Sequence, residues 1–156
     1  MAPLIFGSIA FLHNYTDSTH RCGIWINQNG HLILIFASSG FPKDYPGQRT
    51  LELDRSIAGR CFRKKEIINC PDITKDDDWA MNPQSNSQYK SLICIPLGTW
   101  GVLTIDSHRP LDQTYVLIGE LYASIIEGTM LKLVKTLVRT AFTSPDGNPE
   151  EQEDAS

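Results

Sequence analysis

Two apolar runs, Ser91–Leu97 (SLICIPL) and Gly101–Ser107 (GVLTIDS), are separated only by Gly98, Thr99 and Trp100. Both carry β-branched residues, which fit a pleated surface. A link that short, opening on glycine, leaves room only for a tight turn, so the pair predicts two adjacent strands. Beyond them the period changes. From Gln113 to about Phe142, Leu117, Leu121, Ile125, Met130, Val134, Leu137 and Ala141 recur at helical steps. Such a helix is about 45 Å long, more than a domain of this size needs to cover its own sheet. Its stripe from Met130 to Phe142 therefore calls for a partner, and Gly128 allows a bend or a close helix contact.

Upstream, Cys22–Ile26 and Leu32–Phe36 read as strands joined through Asn29-Gly30. Asn-Gly between apolar runs is a strong hairpin signal, because both residues tolerate positive φ. Gly40–Gly47 reads as loop, and Thr50–Leu53 as a short strand. Ser56 is placed to cap a short helix running to about Phe62. Glu66–Ile68 reads as a further strand. Residues 71–90 form a long polar excursion with one helical turn near Trp79, and loops of this length are usually functional or mobile. Ile5–Tyr15 has the spacing of a short amphipathic helix. The acidic stretch 144–156 predicts disorder, leaving one domain over residues 1–143.

The chain has 156 residues, 41% of them hydrophobic and 21% charged, ordinary for a globular protein. Its net charge of −4 gives no footing for a nucleic-acid surface. Arg60, Arg63, Lys64 and Lys65 read as a solvated edge, with an anion-binding edge as the sharper alternative. Met1–Leu12 is apolar but lacks the positive start and cleavage site of a secretory signal. It is also shorter than the roughly 20 residues that span a bilayer, so no membrane attachment and a cytoplasmic location are expected. Cys22, Cys61, Cys70 and Cys94 show no Cys-x-x-Cys spacing and read as reduced thiols rather than a metal site. Asp76-Asp77-Asp78 lacks the spacing of a calcium loop and reads as a solvated run. The four histidines, His13, His20, His31 and His108, show no pairing. Neither a Ser-His-Asp set nor a Gly-rich phosphate loop is visible.

The order of helix, hairpin, strand, Ser56-Ile-Ala-Gly59, strand, Pro71-Asp72-Ile73, long loop, strand pair and long helix resembles the GAF domain, a ligand-sensing module of signalling proteins. The resemblance covers about residues 5–142 and is strongest over Leu51–Tyr122. It implies an α+β fold: a central mixed antiparallel sheet of five to six strands, N- and C-terminal helices on one face, and a loop-covered pocket on the other. Leu111-Asp112 resembles the family's aromatic-acidic step before the last helix, with Leu in place of Phe. Gly101–Ser107 is similar to a strand of the free methionine-(R)-sulfoxide reductases, which are GAF enzymes. Their reactive cysteines would fall at Ala58 and near Gln84 or Ser85, so the thiol pair is missing unless Cys61 and Cys70 replace it. The Asn-Lys signature of the cyclic-nucleotide branch and the Cys-His attachment point of the bilin branch are absent.

The resemblance implies a pocket lined by the sheet face, the short helix and the long loop, with Phe36, Phe62, Asp72, Trp79, Tyr89, Cys94 and Asp106 as ligand-binding candidates. Several have plainer roles open to them. Trp79 can cap the core, Asp72 can hold a turn through its own backbone, and Asp106 can close a strand. The expected function is a sensory GAF domain that binds a small molecule and forms a homodimer through its N- and C-terminal helices. No cofactor or catalytic residue is named, and whether the output is a further domain or a separate protein partner stays open. The alternatives are a ligand-free interaction module whose pocket is filled by its own side chains, and a reductase-like thiol enzyme.

Overall fold

The computed structural model describes residues 20–38, 40–79 and 89–142. The expected helix at Ile5–Tyr15, positions Gln84 and Ser85, and the tail 144–156 lie outside them.

Strands β1 (His20–Gln28) and β2 (His31–Ala37) form the predicted hairpin. Gln28 faces His31 across a two-residue loop in which Asn29 and Gly30 have φ of 52° and 81°, the left-handed values a primed turn demands. β3 (Thr50–Glu52) adds to β2. Helix α1 (Ile57–Lys64) starts where Ser56 accepts from the Gly59 N–H at 2.9 Å. Gly59 lies so close to the Leu53 backbone that a Cβ would collide with its carbonyl. Lys65 closes α1 in the left-handed region at φ 58°. That reversal uses Glu66 and Ile67 as the exit, so β4 is Ile68–Cys70, two residues later than Glu66–Ile68 predicts.

A single 3-10 turn, Ile73–Lys75, follows, and a tight turn from Asp76 to Trp79 comes after it. The regular turn thus forms at the Asp72 cap rather than at Trp79. β5 (Ser91–Leu97), β6 (Gly101–Ser107) and α2 (Gln113–Phe142) have the bounds read from the sequence. The six strands lie in the order β3-β2-β1-β6-β5-β4, and every pairing is antiparallel.

Each sheet face carries its own core. On one face Ile24, Ile93, Ile95, Leu103 and Ile105 pack against Val116, Ala123 and Ile126 of α2. Gly119 sits where a Cβ would run into the Ile95 side chain, so helix and sheet meet closely. On the other face Trp25, Leu32, Leu34, Cys94 and Val102 pack against Ile57, Ala58 and Cys61 of α1.

α2 is apolar on two sides. Opposite its core face, Leu117, Leu121 and Ile125 form a stripe that continues to Leu131 and Val138, all between 44% and 60% exposed. Among the described residues no helix is long and apolar enough to cross a membrane.

Candidate functional site

β1 and β6 pair so that Arg21 faces Asp106, Gly23 faces Thr104 and Trp25 faces Val102. The two-residue period puts these side chains on the sheet face away from α2. Three polar groups meet there in an otherwise apolar layer. The Trp25 indole donates to Thr104 Oγ1 at 2.9 Å, and the Thr104 hydroxyl donates to the Gly23 carbonyl at 3.4 Å. At the open end of the strands, Arg21 Nε donates to Asp106 Oδ2 at 2.6 Å, with the two side chains only 14% and 15% exposed.

Two rings enclose that ion pair. The Arg21 guanidinium carbon lies 4.2 Å from the centre of the Phe41 ring and 4.1 Å from that of Tyr89. Cation–π attraction of this kind strengthens as water is excluded. Gly40 makes the enclosure fit. Its φ of +105° is costly for other residues, and an added Cβ would sit 3.2 Å from the Tyr89 hydroxyl and 3.3 Å from Arg21 Cβ. The His108 ring packs 4.5 Å from Tyr89, centre to centre. Burial pushes the Asp106 carboxyl above its ordinary value, while Arg21 pulls it back. Burial also raises the Tyr89 phenol, against a smaller opposing effect of Arg21.

A second polar cluster ties α1 to the segment after β4. Arg60 grips Asp76 with both Nη groups, at 3.1 and 2.6 Å, and Nη1 reaches Asp78 Oδ2 at 2.7 Å. The Arg60 hydrogen bonds hold Asp76 below its ordinary value and raise Arg60. The basic run 60–65 and the acidic run 76–78 are therefore not simply two solvated edges. Arg60, Asp76 and Asp78 clasp one another, and Asp77 stays exposed.

The structure brings some of the predicted site residues together and separates others. Asp106 and Tyr89 meet at Arg21. Phe62 is half-buried beside the α1 core, with the Lys65 ammonium 3.6 Å from its ring centre. Cys94 is fully enclosed in that core and offers no surface to a ligand. Asp72 caps the 3-10 turn, accepting from the Thr74 N–H at 3.1 Å and the Thr74 hydroxyl at 2.6 Å. Trp79 is 38% exposed beside the Arg60 clasp.

Phe36 lies on the opposite face, packed against the α2 core. The reason is a bulge. Trp25 pairs with Leu34 but Ile24 pairs with Phe36, so Ile35 is an extra residue that reverses the alternation begun by Leu32 and Leu34. Arg21 and Phe41 escaped the sequence reading, and Arg60 was read only as part of a basic edge, without its Asp76 and Asp78 partners. Their signals were a lone guanidinium in an apolar strand, a Gly-Phe step in a loop, and opposite charges on two nearby segments.

All four cysteines are buried free thiols. Burial pushes Cys22 and Cys61 up to about 12 and raises Cys70 and Cys94 as well. Nucleophilic thiol chemistry needs the thiolate, which these surroundings disfavour. Among the described residues no group of three or more His, Cys, Asp or Glu side chains is placed to hold a metal ion.

With this geometry in view, comparison with known proteins defines the class. The GAF domain family model matches residues 9–128, and the chain belongs to that family. Solved structures with the same fold include the GAF domain of a phosphoenolpyruvate-protein phosphotransferase from Coxiella burnetii. It is 16% identical, with a TM-score of 0.67 over 83% of this chain and 86% of that one. The type II free methionine-R-sulfoxide reductase of Thermoplasma acidophilum is also similar, at 15% identity and a TM-score of 0.62 over 80% and 91% of the two chains. A methyl-accepting chemotaxis protein segment follows at 19% identity and 0.65, over 82% and 89%. No curated protein matches the sequence. The GAF fold thus serves both signalling proteins and methionine sulfoxide reductases.

Proposed function

We propose that this chain is a sensory GAF domain of the cytoplasm that binds a small molecule on the sheet face away from α2 and passes the signal through that helix as a homodimer. The carrying observation is the Arg21–Asp106 pair enclosed by Phe41 and Tyr89. A nearly buried ion pair costs desolvation that a hydrophobic pair would avoid. Such groups, set among rings at the open end of a sheet, are the chemistry of a binding site rather than of a plain core.

Helix α2 supplies the route out. Its lower half rests on the sheet beneath that site, while the exposed stripe from Leu117 to Val138 offers a surface to a second helix. A ligand shifts such an assembly only by its differential affinity for two states. The resemblance to a chemotaxis protein segment supports a signalling role. The thiols argue against the reductase reading, because position 58 is alanine and the cysteines present are buried.

A ligand-free interaction module is the second reading, favoured by the fact that the enclosure is filled by Arg21 itself. Native mass spectrometry of the chain as purified, gentle and then denaturing, separates the two. A dimer releasing a small molecule supports the sensor. A bare dimer supports the interaction module, and a bare monomer overturns the role given to α2.

A further inference from the structure

We infer that Arg21 is the recognition group of the proposed ligand site and that its ligand is a small carboxylate. This deepens the sensory reading above and rests on it.

Asp106 engages the Nε side of the guanidinium. Among the described residues no hydrogen bond reaches either Nη, and no buried side-chain nitrogen lacks a partner. Neither Nη is thus both fully buried and unpaired. That leaves the edge of the fork bearing both Nη groups, whose parallel N–H bonds match the two oxygens of a carboxylate. The fork is also held in place. One ion pair and two rings at about 4 Å fix its plane, so the entropy of ordering it is already spent before a ligand arrives.

The carboxylate beside Arg21 is already engaged: Asp106 is committed to Arg21. A cationic ligand would have to displace Arg21 to reach Asp106. A single carboxylate needs no displacement, and its two oxygens match the two N–H groups of the one fork edge on offer.

The test is calorimetric titration of the full chain with a shape-matched series, benzoate, benzamide and benzylammonium, together with inorganic phosphate. Saturable benzoate binding is expected, with benzamide at least about tenfold weaker. Arg21→Lys keeps the charge without the fork and weakens benzoate by about tenfold. The double variant R21Q/D106N, which leaves no unpaired charge, abolishes benzoate binding while keeping a cooperative melting transition.

Three results would overturn the assignment: no saturable benzoate binding, preference for benzylammonium, benzamide or phosphate, or benzoate binding retained in R21Q/D106N. A neutral or cationic co-purified molecule sinks the carboxylate assignment and leaves the sensor standing. Absence of any bound or binding small molecule sinks both.

Discussion

On the face covered by α2 the central strands present Ile24, Ile93, Ile95, Leu103 and Ile105, and the helix answers with Val116, Ala123 and Ile126. On the opposite face the same strands present Arg21, Trp25, Thr104 and Asp106. The first face is hydrocarbon against hydrocarbon, where stability rises with area removed from water and little depends on which atom touches which. The second carries an ion pair and an indole–hydroxyl bond whose geometry must be met. The contrast teaches that the ion pair and the indole–hydroxyl bond are confined to one face, whose remaining residues still form a core with α1, while the core on the α2 face is built of apolar residues. α2 packs on the sheet with one side, and its other side is the exposed stripe proposed above as the dimer surface.

The largest expected effect breaks the hydrocarbon face. Ile105 is fully buried, and Ile105→Ala should cost about 3–4 kcal/mol by lost transfer energy and a residual cavity, read from urea unfolding. The Arg21–Asp106 geometry should survive, so the chemical shift of the Arg21 Nε–H should hardly change. If that resonance moves strongly, the two faces are not independent.

Next comes Arg21→Ala, which leaves Asp106 without its partner. Both side chains keep some water contact, so the cost near neutral pH should be about 3 kcal/mol, the low end for breaking a buried pair. Its pH dependence has a definite sign. Burial already raises the folded-state carboxyl, and loss of Arg21 raises it further. The folded variant then holds a proton that the unfolded chain has released. Stability falls as pH climbs from the ordinary carboxylate range, and the gap from wild type closes on acidification. Urea midpoints at several pH values check this.

Asp76→Asn should cost less, about 1 kcal/mol, because Arg60 keeps Asp78 and the cluster is partly solvated. Here the sign differs in origin. Asp76 is held below its ordinary value, so its contribution is present above the unfolded value and is lost as pH falls through the folded one. The wild type then loses its advantage, whereas acid rescues the Arg21 variant. The smallest stability effect belongs to Leu121→Lys on the exposed stripe, within about 0.5 kcal/mol. Sedimentation should nevertheless show the loss of the proposed dimer.

The strands and helix of the hydrocarbon face were legible, but the apolar stripe read on α2, Leu117, Leu121 and Ile125, is exposed, and Val116, Ala123 and Ile126 face the sheet instead. The apolar runs Ser91–Leu97 and Gly101–Ser107, buried on both faces, and the helical steps from Gln113 matched strands and helix at their observed bounds. The polar face was less legible because it depends on register. One extra residue at Ile35 moves Phe36 to the other face. The αL turn at Lys65 moves β4 by two residues. Asp106 and Tyr89 could be named from the sequence, but Arg21 lies 85 residues from Asp106 and only pairing brings them together. The plainer role open to Asp72, holding a turn, was legible because its partner is two residues away.

The most direct measurement follows the Arg21 Nε–H, Trp25 indole and Ile105 methyl resonances while the chain is titrated with a small-molecule library that includes carboxylates. The account predicts saturable shifts at Arg21, with Trp25 responding next and Ile105 nearly silent. Saturable shifts confined to the α2 face, or none at Arg21 with any compound, would contradict it.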